Sequence, residues 1–230
     1  MRYIGNKTRL LNHINDFIIE NNIEAKTFCD IFSGTGSVGD FFKSKYTIIA
    51  NDFLVSSSIL TKAKIYNHTI PTFEKFKNIY NLDPFIYFTN KKFKYNEHYF
   101  VTNTYSPKGG RQFFSEENSI KIDSIRIEIE ELYKNLILNE KEYYFLLGSL
   151  LESVMRYSNT SGTYEAFLKV WDKRALKPFS FTPLGICENI SLNKDSKVYN
   201  EDANLLIRKI KGDFLYIDPP YTITEYSSAY

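Results

Sequence analysis

Residues 27–52 constrain the fold more than any other stretch. A short apolar run, Thr27-Phe28-Cys29-Asp30-Ile31-Phe32, breaks at Ser33-Gly34-Thr35-Gly36-Ser37-Val38-Gly39, and a second run, Tyr46-Thr47-Ile48-Ile49-Ala50, ends at Asn51-Asp52. Val38, Phe41 and Phe42 between them fit a short helix. Strand, glycine turn, helix, strand is a βαβ unit, and it predicts a parallel sheet. Gly34, Gly36 and Gly39 satisfy G-x-G-x-x-G, a tight turn that brings backbone close to a ligand at a helix N-terminus. Asp52 closes the next strand, where a carboxylate can accept hydrogen bonds from a ribose. Dinucleotide enzymes and S-adenosylmethionine (AdoMet) enzymes share this pattern. A purely structural turn, with Asp52 capping a helix, fits it too.

The rest of the chain divides around this unit. Leu10, Leu11, Ile14, Phe17 and Ile18 recur at helical spacing before it. Residues 71–190 read differently, as a mainly helical insert with basic, aromatic loops. There Ile122, Ile125, Ile129, Leu132 and Leu136 form one helical stripe and Tyr143 to Met155 a second, more buried helix, with loops such as Ser106-Pro107-Lys108-Gly109-Gly110-Arg111 around them. The α/β pattern then resumes with Val198-Tyr199-Asn200-Glu201-Asp202, a short helix, and the strand Phe214-Leu215-Tyr216-Ile217. The expected division is therefore 1–70 plus 191–230 as one discontinuous domain and 71–190 as the insert.

Composition narrows the classes. With 43% hydrophobic and 24% charged residues among 230, the chain is long enough for a core and is neither disordered nor a coiled coil. No run approaches a membrane span, and the first residues lack the apolar stretch of a signal peptide. Cys29, Cys187, His13, His68 and His98 lie far apart, without metal-ligand spacing, so no metal site and a cytoplasmic location are expected. The net charge of +2 says little about a polyanionic partner. Its distribution says more: residues 60–112 carry nine Lys/Arg against three acids, and residues 116–152 nine acids against four bases. That asymmetry is compatible with one face toward nucleic acid, although an AT-rich coding sequence also enriches Lys, Asn, Tyr and Phe.

Asp218-Pro219-Pro220-Tyr221 separates the ligand classes. Two prolines remove two backbone donors and fix φ, making a rigid lip at the end of a strand. Asp218 presents an acceptor there, the carbonyls beside Pro219 are left to face a cleft, and Tyr221 offers a flat ring. The set suits a planar ring bearing an amine, and a dehydrogenase has no use for it.

With these motifs in this order, the sequence resembles the Dam-like, α-group N6-adenine DNA methyltransferases from its first residue to its last. Arg2-Tyr3-Ile4-Gly5-Asn6-Lys7 looks like that family's first AdoMet element, which implies cofactor contacts for Tyr3 and Lys7. Asp30 to Val38 resembles the AdoMet loop, implying Asp30, Phe32, Gly34 and Gly36. Asn51-Asp52 resembles the ribose-binding acid, Asn200-Glu201-Asp202 the element that meets the cofactor's adenine, and Asp218 to Tyr221 the catalytic motif. The insert falls where the family keeps its target-recognition domain. Within it Arg156-Tyr157-Ser158-Asn159 and Gly162-Thr163-Tyr164 resemble the segment that joins recognition to catalysis, implying DNA proximity for Arg156, Asn159 and Tyr164. A polar interdomain loop is the structural alternative for these three.

The resemblance implies a Rossmann-like AdoMet methyltransferase sheet, AdoMet as cofactor, double-stranded DNA as partner and a place in a restriction–modification pair. It implies base flipping, with the adenine stacked on Tyr221 and its two N6 protons accepted by Asp218 and the carbonyl of Pro219. The family's sheet continues past this motif, whereas the sequence stops at Tyr230. The expectation is therefore a strand at 214–217 with apolar faces uncovered, completed by a further chain or belonging to a truncated, non-catalytic half. An RNA base methyltransferase is a further alternative, since D-P-P-Y also occurs in enzymes that methylate ribosomal guanine amines.

Overall fold

The computed structural model describes residues 7–162, 164–188 and 195–219. Their elements run in the order α1 (Leu11–Glu20), β1 (Thr27–Asp30), α2 (Ser37–Phe42), β2 (Thr47–Asn51), α3 (Val55–Ile65), α4 (Glu74–Tyr80), α5 (Pro84–Asn90), α6 (Phe100–Tyr105), α7 (Glu116–Lys134), α8 (Glu140–Arg156), β3 (Lys197–Tyr199), α9 (Ala203–Leu206) and β4 (Phe214–Tyr216). Two compact units emerge. Residues 7–70 with 185–219 form the α/β unit, and Pro71–Leu184 form the helical one.

In the α/β unit the strands pair in the order β3-β2-β1-β4, all parallel. Strand β1 is central, with Asp30 opposite Ala50 of β2 on one side and Tyr216 of β4 on the other. The two βαβ halves of such a sheet diverge at this point, and the carboxyl ends of the diverging strands leave a crevice. The core beneath it follows from the apolar runs. Phe28, Ile48, Ala50 and Val198 from the strands meet Leu11 and Ile18 of α1, Val38 and Phe42 of α2 and Ile65 of α3. The Phe28 and Phe42 rings stack at 4.8 Å.

A buried ion pair ties the helices of this unit together. Lys43 is 1% exposed, and its ammonium donates to Asp40 Oδ1 (2.6 Å), Lys64 O (2.8 Å) and Asn67 O (2.7 Å). All three of its donors are therefore used. Asp40 Oδ2 accepts the Cys187 N–H at 2.9 Å. The pair thus fastens α2 to the end of α3 and to the segment that re-enters this unit.

The helical unit is built on α7 and α8. Helix α7 starts where Ser115 Oγ accepts the Asn118 N–H, and α8 starts at a reciprocal cap between Asn139 and Glu142. Ile122, Ile125, Ile129 and Leu132 are buried as the stripe predicts, but Leu136 is not. It lies past the end of α7 at φ +57°, 74% exposed. Phe73, Phe76, Phe85, Phe88, Phe145 and Phe181 fill the core, many of them in edge or tilted contacts. Two polar side chains of α7 are buried as brackets. Asp123 accepts the Val101 and Thr102 amides that open α6, and Asn118 holds Ala175, Lys177 and Phe179.

Candidate active site

The glycine turn has the geometry its sequence requires. Gly34 and Gly36 stand at φ +52° and +70°, where a side chain is strained. A Cβ on Gly36 would lie 2.8 Å from Thr61 Cα and 2.9 Å from Thr61 Oγ1, so α3 closes over the turn. Gly39 lets α2 approach the sheet, since a Cβ there would meet Ile65 Cδ1 at 2.9 Å and Ile48 Cγ2 at 3.2 Å. The turn is then fastened from the side. Ser33 donates its N–H and Oγ–H to Asn51 O at 2.8 and 3.0 Å, and Gly34 N–H donates to Asp52 Oδ2 at 2.8 Å.

Three carboxylates gather at the carboxyl ends of β1, β2 and β4. Asp30 is 1% exposed and neither of its oxygens has a hydrogen-bond partner. Burial, reinforced by the negative charges of Asp218 and Asp52, pushes its carboxyl up to about 7. The Phe32 amide lies near enough to oppose part of this without forming an aligned hydrogen bond. Asp52 is also raised by burial, against hydrogen bonds from the Leu54 and Gly34 amides and from Ser57. Both of its oxygens thus brace the turn, Oδ1 on Leu54 N–H at 2.9 Å and Oδ2 on Gly34. Asp218 pairs with Lys7 at 2.9 Å, with side chains 23% and 16% exposed. Lys7, expected at the cofactor, thus lies against the acid of the D-P-P-Y motif.

Two asparagines position the neighbouring loops. Asn51 is 1% exposed, and its amide donates to Ile31 O and Glu201 O while its Oδ1 accepts from Glu201 N–H. Asn200 donates to the carbonyls of Asp52 and Phe53 at 2.7 and 2.9 Å. Together they hold the ends of β2 and β3 side by side. Asp202 itself caps α9, its Oδ1 accepting from Asn204 and Leu205 amides. The motifs include Asn51 and Asn200 without giving either a role, and they leave out Phe53. The last follows Asp52 directly with 74% of its surface exposed, a flat apolar face beside the polar cleft. An exposed phenylalanine after a strand-ending acid was the available signal.

Tyr3, Pro220 and Tyr221 lie outside the described residues. Pro219 is exposed at the end of the strand segment. Phe32 sits in the turn between β1 and α2, and its backbone opposes the rise of Asp30.

In the helical unit, Arg156 ends α8 half-exposed, donating to Thr182 Oγ1 (2.9 Å) and to Glu152 Oε1 (3.2 Å). Asn159 lies just after the end of α8. It is fully buried, its amide donating to Gln112 O and Leu168 O at 2.9 Å and its Oδ1 accepting from Asp172 N–H at 2.8 Å. An asparagine with all these groups engaged shapes a loop instead of presenting an edge to a base. Tyr164 packs between Phe113 and Phe114, and burial of its hydroxyl end raises its phenol, opposed by a hydrogen bond with Ser158. Among the described residues no His/Cys/Asp/Glu group has the arrangement of a metal site, and no helix is long and apolar enough to cross a membrane.

A parallel sheet with a glycine turn and acids gathered at its carboxyl end is consistent with an AdoMet methyltransferase fold. Residues 3–230 match the D12 class N6 adenine-specific DNA methyltransferase family, and the chain belongs to that family. It is 47% identical over 230 residues to the modification methylase LlaI of Lactococcus lactis subsp. lactis, matching 100% of this chain and 37% of that protein. To the type II methyltransferase M.FokI of Planomicrobium okeanokoites it is 46% identical over 234 residues, with 100% and 36% covered. To M.NlaIII of Neisseria lactamica it is 38% identical over 237 residues, with 100% and 67% covered. The chain thus spans little more than a third of the first two relatives. No solved structure matches it.

Proposed function

We propose that the protein is an AdoMet-dependent, adenine-specific DNA N6-methyltransferase of the Dam-like α-group, acting in the cytoplasm within a restriction–modification system. One observation carries the choice of cofactor. Asp30 is buried without a hydrogen-bond partner at the strand ends where Asp52 and Asp218 also lie, and burial first, then their two negative charges, raises it to about 7. A pyrophosphate would be repelled there, whereas a cationic ligand relieves the repulsion. AdoMet carries an ammonium and a sulfonium, and it supplies an electrophilic methyl group when bound.

The chain's own residues divide the work around it. The unpartnered carboxylate of Asp30 fits an ammonium, and the Phe32–Gly36 turn gives the ligand close access to backbone. Asp52 and Asp202 fit the ribose and adenine ends, with Phe53 as an apolar shelf, and Tyr3 and Lys7 are further cofactor contacts by the family's motif. Asp218 and the carbonyl of Pro219 accept the two N6 protons of a flipped-out adenine, with Pro220 stiffening the lip and Tyr221 stacking on the base. These hydrogen bonds, accepted from the two N6–H groups, turn the nitrogen lone pair toward the methyl and stabilise the positive charge that develops on it before one N6 proton is released. Lys7 holds the Asp218 carboxylate in place for this step.

The helical unit serves as the target-recognition domain, with Arg156 facing DNA and with Asn159 and Tyr164 shaping the loop beside it. Leu215 of β4 and Ile217 just after it, 41% and 58% exposed, favour a further segment or chain packing against β4. Incubation of the protein with labelled AdoMet and unmethylated duplex DNA, followed by nucleoside mass spectrometry, tests the reading. N6-methyladenine is the expected product. Methylated RNA instead, or AdoMet binding without product, would sink it.

A further inference from the structure

The helical unit contains a cavity of about 200 Å³ at the carboxyl end of α8, lined by Glu152, Met155, Arg156, Ser158, Thr160 and Arg174, among others. Both of its arginines are anchored, Arg174 along one edge by a single carboxylate and Arg156 by two different residues. Asp172 Oδ2 takes Nε and Nη2 of Arg174 at 3.0 and 2.7 Å, and its Oδ1 takes the Arg174 N–H. Buried Asn159 in turn fixes Asp172 through its N–H. Arg156 is braced by Glu152 and Thr182. A guanidinium pinned along one edge keeps its remaining donors at fixed positions, so little further side-chain freedom is lost when they bind.

The polarity of the cavity decides what those donors meet. A phosphate contact calls for an excess of positive charge, but here Glu152 and Asp172 stand beside Arg156 and Arg174. A base-pair edge calls for mixed donors and acceptors. In the major groove a G·C pair offers the adjacent acceptors N7 and O6 of guanine and the N4–H donor of cytosine, which complement a guanidinium fork and a carboxylate. An adenine sets a donor next to its acceptor, and it meets a guanidinium donor to donor.

We infer that this cavity reads one G·C pair of the methylation target, with Arg174 as a specificity-determining residue held by Asp172 and Asn159. The inference rests on the reading of the chain as a DNA methyltransferase. The test uses the full-length protein on a duplex library randomised around adenines, scored by sequencing the N6-methylated positions. The wild type should require G·C at a fixed position. Arg174→Ala should lower the preference for G·C over A·T at that position on the order of 10- to 100-fold, with preferences elsewhere unchanged. Arg174→Lys, which keeps the charge and loses the fork, should lose it nearly as far. Unchanged discrimination in both variants would overturn the inference. So would an equal loss on every sequence with a shallower salt dependence, the mark of a phosphate contact. Absence of methylation by the wild type would instead remove the underlying reading, and AdoMet affinity measured alongside reports whether each variant is folded.

Discussion

Asp30 gives the sharpest prediction, because it is buried without a hydrogen-bond partner and its carboxyl is raised to about 7. In the unfolded chain it titrates near 4, so between pH 4 and pH 7 the unfolded state loses a proton that the native state keeps. Native stability therefore falls as pH rises through that window, by at most about 4 kcal/mol for a shift of about three units, and it levels off about a unit above pH 7. If an ammonium binds the ionised form, affinity follows the ionised fraction, which grows from about 0.01 at pH 5 to about 0.5 at pH 7. Over this range an α-amino group stays protonated. AdoMet should bind up to roughly 50-fold more tightly at pH 7 than at pH 5. Titration calorimetry on the wild type and Asp30→Asn at pH 5, 6 and 7 reads this directly. The variant should bind weakly and without this slope. A wild type whose affinity is flat across these pH values, or an Asn variant with the same slope, would refute the argument.

Other positions give predictions of stability. Gly36→Ala places a Cβ against Thr61 at a positive φ, and thermal unfolding should show a loss of about 2–4 kcal/mol together with weakened AdoMet binding. Lys43→Met removes one half of a buried pair and leaves Asp40 charged in the interior. Denaturant unfolding should show a loss of about 3–5 kcal/mol, partly recovered when Asp40→Leu is added.

The sheet was legible because each of its signals is local. An apolar run, a glycine turn and a second apolar run specify β1, α2 and β2 within 25 residues or so, and the long stripes of α7 and α8 repeat often enough to be read. Helices α3 to α6 were not picked out. Three of them are six or seven residues long, too short for a period to show. Helix α3 buries Ser57, Ser58 and Thr61 against the turn, which blurs its apolar face. The acids of the cleft were read from their motifs, but their mutual repulsion and the Lys7–Asp218 pair arise only when distant segments meet. The burial of Asn159 is hidden in the sequence for a related reason. A polar residue in a polar loop looks available until the segments at 112, 168 and 172 close around its amide.

The central claim is that Asp218 holds the amine that accepts the methyl group. Single-turnover transfer from labelled AdoMet to duplex DNA, measured for wild type and Asp218→Ala with AdoMet and DNA affinities determined in parallel, tests it most directly. The account predicts a rate lowered at least on the order of 100-fold, with DNA affinity kept within a few-fold. An Asp218→Ala protein that transfers methyl groups at the wild-type rate would contradict it.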